Sequence, residues 1–499
     1  LVKRVLIANR GEIVLRVART SRKLGLEPCG IYSEADKESL HIKHCKEALN
    51  IGGHLPSESY LRMDKIIDAA KKLGCDMIHP GYGFLAENLE FSELCKKEGF
   101  IFVGPSPSAM RLSGDKAKAR EVASRIAPIL KGKEVSTESD ALDLAEEIGY
   151  PVILKAVKGG GGRGLRVIES TDDLSKALSS SKNEAMLSFG SDRIYIEKYL
   201  ENPRHIEVQI LGDDDSKVIH LGERDCSIQR RHQKLIEETP SPAVTNDIRA
   251  KMTEKAIGVT KEMAYTNAGT VEFLFKGGNF YFMEINSRIQ VEHPITEEVT
   301  GIDIVEQQLR IALSLGLKIK QEEVKFRGHA IECRINAEHP TSFAPYPGMV
   351  TKFIPPKDDN IRVDTALYSG YSIPHFYDSL IAKLICHDEN REKAIEKMKR
   401  SLLSFRISGI PSTIPFHLSA MYDERFLRGN YDTTFVEGLK PFASREGAIA
   451  AALFSLLPKR IKILEREKED KDPWLMSRYE DIQQFYGNHN DYLSSSWIR

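Results

Sequence analysis

The sequence predicts a multidomain α/β protein, and three observations predict it. Over residues 4–110 short apolar strand runs alternate with helical stretches, the pattern of a parallel, doubly wound sheet. Residues 130–200 form a smaller α/β pattern around a run of glycines. Near residue 328 the pattern changes again, to mostly short strands. A chain of 499 residues is too long for one core of ordinary size, so about two to four domains are expected. With 71 basic and 72 acidic residues the formal net charge is −1, which points to no nucleic-acid or membrane-surface partner. The seven cysteines show no CxxC spacing, as expected of free thiols in a reducing cytoplasm and not of a disulfide framework or zinc site. The longest nearly apolar run, Ala448–Leu457, is half of what a membrane span needs, and the apolar start is too short for a signal peptide.

In chain order, Val5-Leu6-Ile7-Ala8 is a buried-strand run, and Asn9-Arg10-Gly11 turns into a helix with Ile13, Val14, Val17 and Ala18 on one face. The turn lacks the GxGxxG of dinucleotide binding. The HPGYGFLAEN loop at 79–88 is either a tight structural turn or a substrate contact. Residues 111–126 read as a helix with Lys116 in its first turn, where a cation opposes the macrodipole unless a bound phosphate offsets it. Val152–Val157 and Leu165–Ile168 are partner strands around Lys158-Gly159-Gly160-Gly161-Gly162-Arg163-Gly164. So many glycines cost entropy that a plain turn does not need, which favours a lid over nucleotide phosphates. It is not a Walker A loop, because a strand follows and GKS/T is missing. Lys155, on the strand before it, points at the same phosphates. Tyr195–Leu200 is a strand whose edge suits a ligand such as adenine. Within CSIQRRHQK, Arg230, Arg231, His232 and Lys234 make an anion site or a solvated loop.

The chemistry centres on Gly269–Pro294, a hairpin running into a polar loop. A three-residue loop, Gly277-Gly278-Asn279, pairs Glu272 directly with Glu284. Facing like charges destabilise a sheet pair, and a divalent cation removes the repulsion. Asn286 is the natural third metal ligand. Arg288, Gln290 and Glu292 follow at alternate positions, which share a face if the segment is extended. Phe273, Phe275, Phe282 and Met283 argue for a hairpin packed on a core. Beyond it, Ile302–Leu315 is an amphipathic helix, Glu332, Arg334 and Asn336 share a strand face, and Arg391–Ser404 is a helix. An apolar helix at 448–457 begins the tail, packed on the core or docking a partner.

The segments IANRGEI, HPGYGFLAEN, GDK, KGGGGRG, EKYLENPRHIEVQ, ERDCSIQRRHQK, GTVEFLF, EINSRIQVEHP and RGHAIECRINAE, in this order, resemble biotin carboxylase, of the ATP-grasp superfamily. The resemblance covers nearly all of residues 2–440. It implies a Rossmann-like N-terminal domain (1–114) and an ATP-grasp domain (115–327) with a glycine-rich lid subdomain at about 131–203. A C-terminal α+β domain (328–440) and a helical extension (441–499) follow. It further implies that Lys116, Lys155, Gly161, Gly162 and Gly164 bind ATP phosphates. Glu197, Lys198 and Leu200 then line the adenine pocket, with His205 near the ribose and Gln229, His232 and Lys234 around the nucleotide and its phosphates. Glu272, Glu284 and Asn286 match the positions for Mg²⁺ or Mn²⁺; Arg288, Gln290 and Val291 match the bicarbonate pocket. Glu292 matches the general base and Arg334 the group that supports charge on the biotin ureido oxygen. Implied partners are a biotin carboxyl carrier protein and a carboxyltransferase subunit of an acyl-CoA or pyruvate carboxylase, because no biotinyl domain follows in the chain. A homodimer and a cytoplasmic location are implied as well. The segment 125–140 departs from the family pattern and looks shortened. Two other readings stay open here: an ATP-grasp ligase that activates another carboxylate, and a catalytically silent assembly module.

Overall fold

The computed structural model describes residues 3–157 and 165–442, with Gly447 and Ile449. Contacts divide the chain into Leu1–Ala443 and Ser444–Arg499. Gly161, Gly162, Gly164 and the rest of the glycine run lie outside the described residues, as does the expected 448–457 helix apart from Ile449.

Strands are numbered along the chain. β1 (Arg4–Ile7), β2 (Glu27–Tyr32), β3 (Glu47–Asn50), β4 (Met77–His79) and β5 (Ile101–Phe102) form a parallel sheet in the order β3-β2-β1-β4-β5. Side chains alternate across a strand. Here Val5 and Ile7 enter one core cluster and Leu6 and Ala8 another, so both faces are covered, as a doubly wound sheet requires. The helix Glu12–Lys23 buries Ile13, Val14, Val17 and Ala18, the predicted face.

β6 (Gly132–Val135), β7 (Val152–Ala156), β8 (Leu165–Ile168) and β9 (Ile194–Lys198) form an antiparallel sheet ordered β6-β9-β7-β8. β7 and β8 are partners, as predicted. β9 is not an edge, however; it is bonded on both sides, and the chain leaves the sheet only at Tyr199.

The largest sheet holds the site. Its strands are β10 (Arg204–Gly212), β11 (Val218–Arg230), β12 (Gln233–Thr239), β13 (Asn267–Lys276), β14 (Asn279–Asn286), β15 (His329–Asn336), β18 (Ile361–Thr365) and β20 (Leu380–Asp388). They are antiparallel throughout, in the order β14-β13-β10-β11-β12-β15-β20-β18. The sheet therefore runs unbroken past residue 328, where the sequence suggests a new unit. Two small pairs complete the strands: β16 (Gly348–Met349) with β19 (Ser372–Ile373), and β17 (Lys352–Ile354) with β21 (Arg406–Ser408). One face of the large sheet packs Ile206, Val208, Val271, Phe273 and Phe282 against Met252, Ala256 and Val259 of the helix Asn246–Glu262. Phe273, Phe275 and Phe282 are core residues as expected, whereas Met283 turns to the cleft on the other side.

Two of three predicted helices are refined. Residues 111–126 hold the end of one helix, Pro107–Gly114, and the whole of a second, Lys116–Ser124. Asp115 caps the second by accepting from the Ala117 and Lys118 amides at 3.1 and 3.2 Å, which puts Lys116 at its first position. The amphipathic helix is Ile304–Ala312, and Arg391–Ser404 has the predicted bounds. All seven cysteines are unpaired, and no helix among the described residues is long and apolar enough to cross a membrane.

Candidate active site

The hairpin β13–β14 places the first carboxylates. Its turn has two residues, Gly277 and Gly278, with φ of 57° and 81°, a conformation that glycine adopts without strain. A two-residue loop alone would miss the expected register. An irregularity between Glu272 and Phe273 restores it, so Glu272 does face Glu284. On the other side Glu272 faces Glu207 of β10. Three carboxylates thus lie in a row across three strands, and Glu207 was the one that hairpin reasoning did not reach. Carrying the cross-strand pairing one strand further, into the alternating HIEVQI segment, is the signal that finds it.

Such a row persists only if neutralised. Lys234 Nζ lies 2.6 Å from Glu207 Oε2 and 3.1 Å from Glu272 Oε1. His205 Nε2 lies 3.0 Å from Glu272 Oε2, and Lys116 Nζ 3.3 Å from Glu284 Oε2. Arg224, fully buried, binds the other oxygen of Glu207. Burial alone would raise the Glu272 carboxyl, but Lys234 and His205 outweigh it and hold it below the usual range. Side-chain cations therefore already relieve the repulsion that was expected to call for a metal. Among the described residues two clusters bring three potential ligand atoms together, His205–Glu207–Glu272 and Glu207–Cys226–Glu292; Lys234 is bonded to two members of each, so neither fits a metal. The all-oxygen set of Glu272, Glu284 and Asn286, which borders the cleft, does fit a hard cation such as Mg²⁺ or Mn²⁺.

Beyond β14 the segment is not an extended ribbon. It turns, and Glu292 sits at the N-terminal boundary of the helix His293–Thr300. The residues still converge. Arg288 donates to Gln290 Oε1 at 2.7 Å and to Asn286 Oδ1 at 3.3 Å. Gln290 Nε2 is buried without a hydrogen-bond partner, a donor that suits an anion's oxygen. Glu292, fully buried, accepts from Lys234 Nζ at 2.6 Å and Arg334 Nη2 at 2.9 Å. Burial would raise its carboxyl, but Lys234, Arg334 and Arg224 hold it well below the usual range. Lys234 is held well above its usual value because Glu207, Glu272 and Glu292 outweigh its own desolvation.

The basic cluster divides. β11 and β12 join through Arg231 and His232, both with positive φ, 47° and 66°. Two side-chain-bearing residues in a turn that favours Asn-Gly store strain, as functional loops do. Arg230, Arg231, His232 and Lys234 all line the cleft, but Arg230 is engaged at its wall, where it donates to the Ser342 carbonyl at 3.2 Å and covers the Phe343 ring. Lys155 pairs with Glu197, which Arg120 Nη1 also approaches at 2.9 Å. Lys198 Nζ is spent on the Gly149 and Tyr150 carbonyls at 3.0 and 2.9 Å. Of the residues expected to line an adenine pocket, then, Glu197 and Lys198 have side chains already engaged, while Leu200 lies past the strand end. Gln229, His205, Val291 and Arg334 line the same cleft, of about 1000 Å³. Glu332 lies fully buried beside Arg334 and Asn336, so that strand face is not solvated.

The HPGYGFLAEN loop also reaches this site. Asn9 Nδ2 pins it through the Pro80 and Tyr82 carbonyls at 2.7 and 2.8 Å. Glu87 at its end accepts from the Ser287 amide and from Arg288 Nε, each at 3.0 Å. Tyr82 lines the cleft and donates to Glu12.

A nucleotide-sized cleft, roofed by a small antiparallel unit and floored by carboxylates and lysines on a large sheet, defines an ATP-grasp enzyme. Residues 115–320 match the family model described as "Carbamoyl-phosphate synthase L chain, ATP binding domain". Residues 1–110 match "Biotin carboxylase, N-terminal domain" and 332–438 "Biotin carboxylase C-terminal domain". The chain is 49% identical over 443 residues to biotin carboxylase 1 of Bacillus subtilis, covering 88% of this chain and 98% of that one. The Campylobacter jejuni biotin carboxylase, solved as a β,γ-ATP complex, superposes with a TM-score of 0.86 at 49% identity, over 88% and 99% of the two chains. The biotin carboxylase domain dimer of Hydrogenobacter thermophilus 2-oxoglutarate carboxylase, solved with MgADP, ADP and bicarbonate, gives 0.85 at 45% identity, over 88% and 97%. The chain belongs to the biotin carboxylase family.

Proposed function

We propose that this enzyme carboxylates biotin borne by a separate carrier protein, using ATP and bicarbonate. The observation that carries the reading is Glu292, buried between Lys234 and Arg334 beside the Arg288–Gln290 pair. Lys116, Lys155, His205, Gln229 and His232 bind the nucleotide with the 161–164 glycines, while Glu197, Lys198 and Leu200 border its base. Glu272, Glu284 and Asn286 hold Mg²⁺ or Mn²⁺, which neutralises phosphate charge when bound. Arg288 and Gln290, with Val291, orient bicarbonate, a poor nucleophile that needs positioning. Glu292 takes its proton. Paired with two cations, that carboxylate is ionised but weakly basic. Incoming anions compete for Lys234 and Arg334 and so restore its basicity at the moment it is needed. Bicarbonate attack on the γ-phosphate gives carboxyphosphate and ADP; loss of CO₂ leaves phosphate, and CO₂ joins the biotin N1, whose proton goes to that phosphate. Arg334 supports the negative charge on the ureido oxygen.

We place the domains at 1–114, 115–327 and 328–440, which the three matched family models support. The carrier, a carboxyltransferase serving an acyl-CoA or a keto acid, and a second copy of this chain are the partners in this reading. Its compartment is the cytoplasm, which the seven free thiols favour. ADP release should require bicarbonate and rise with free biotin; stimulation by ammonia or an amino acid instead would replace this reading with that of a ligase acting on another carboxylate.

A further inference from the structure

We infer that Glu237, which no part of the reaction above uses, is the positioning residue for Arg334. The inference rests on the proposed role of Arg334 at biotin. Glu237 Oε1 accepts from Arg334 Nε at 2.6 Å, and the same guanidinium reaches Glu292 Oε2 through Nη2 at 2.9 Å. One planar group is thus gripped from its Nε edge by a fully buried carboxylate on β12. That contact fixes the rotation of its other nitrogens toward Glu292 and the substrate.

The surroundings make this grip specific. Glu237 is on β12 and fully buried, and its strand partner on β15 is Glu332, also fully buried. Neither oxygen of Glu332 has a hydrogen-bond partner, and Glu237 Oε2 has none. Arg334 on β15, Glu292 at the head of its helix, Lys234 on the same strand and Cys226 on β11 also lie close enough to act on or feel the Glu237 charge, with Lys383 of β20 acting on Glu332; Cys333, between Glu332 and Arg334, points to the opposite face of the sheet. Two adjacent buried carboxyls cannot both ionise cheaply. Burial, reinforced by Glu237, pushes the Glu332 carboxyl well up, so it stays neutral. The charge belongs to Glu237, the only one of the two bonded to the guanidinium. Burial raises Glu237 as well, to about 7 against the pull of Arg334, so the grip is one that a modest change can release.

The test compares Glu237→Gln, Glu237→Asp and Glu332→Gln in the full chain. Biotin-dependent kcat should fall at least tenfold in E237Q, while the KM for ATP and MgADP affinity stay near wild type. E237D, which keeps the charge, should recover part of the loss. E332Q replaces a neutral acid by a neutral amide and should match wild type. Wild-type rates in E237Q would overturn the inference. So would equal losses in E237Q and E332Q, or a fall in nucleotide affinity parallel to the fall in rate. If the wild-type enzyme shows no bicarbonate-dependent, biotin-stimulated ADP release, it is the proposed function that fails.

Discussion

Glu292 shows what a single residue does here. Its depressed carboxyl stays ionised across the neutral range, so the proposed base is in the right form before substrate arrives, and its two cations keep it there. Replacing it with Gln keeps volume and removes only charge. Glu292→Gln should bind MgATP within about twofold of wild type and turn over at least a hundredfold more slowly. Near-normal turnover in the ADP-release assay would put the base elsewhere. Glu87 is the complementary case, a residue that acts through Arg288. Glu87→Gln loses the charge on Arg288 Nε and should raise the KM for bicarbonate about tenfold while leaving the KM for ATP alone. A matching rise in both would show general damage. Side-chain identity of this kind was legible in the sequence for Glu272, Glu284, Arg288 and Glu292, because they sit within one short stretch. It was not legible for Glu87, Glu207 or Glu237. Those meet the site only through strand pairing or a loop from the N-terminal sheet, contacts that spacing along the chain does not encode.

Elements carry the next layer. The hairpin register was readable because Glu272, Glu284 and the glycines lie close together, yet the route to it differed: a shorter turn plus a bulge. Local turn signals fix which residues face each other more securely than they fix how the backbone arranges it. The β11–β12 turn is the opposite case. As a sequence, CSIQRRHQK reads as a basic loop; as a structure it is a two-residue turn with Arg231 and His232 both at positive φ. Positive φ at two side-chain-bearing residues costs about 1–3 kcal/mol each. Replacing the pair with Asn-Gly should raise the unfolding free energy from urea melts by about 1–3 kcal/mol while weakening ADP binding about tenfold. Unchanged ADP affinity by calorimetry would remove this turn from the site. β9 makes the same point about elements. A strand beside a lid reads as an available edge, but the sheet order encloses it, and order is a tertiary fact.

At the scale of the molecule, the parts that the sequence pattern suggests are not independent, because β12 and β15 pair directly and carry the large sheet across the expected boundary. Glu238, on β12, is the tie. It accepts from His329 Nε2 at 2.6 Å, from Arg391 Nε at 2.7 Å and Nη2 at 2.9 Å, and from the Tyr431 hydroxyl. Burial alone would raise this carboxyl, but the bonds from His329 and Arg391 outweigh it and bring it down to about 2. A carboxyl lower in the folded state than in the unfolded one stabilises the fold above the unfolded value and loses that contribution as pH falls through the folded one. Removing one partner of such a buried pair costs about 3–5 kcal/mol. Glu238→Gln should therefore unfold earlier than wild type at pH 7. The gap should narrow below about pH 4.5 and close near pH 2, and residues on both sides of position 328 should melt together. Two separated calorimetric transitions in the variant, with the first assigned to residues beyond 328 by proteolysis, would show that the sheet does not bind the parts into one cooperative unit. A pH-independent gap would show that the contribution of Glu238 is packing and not charge.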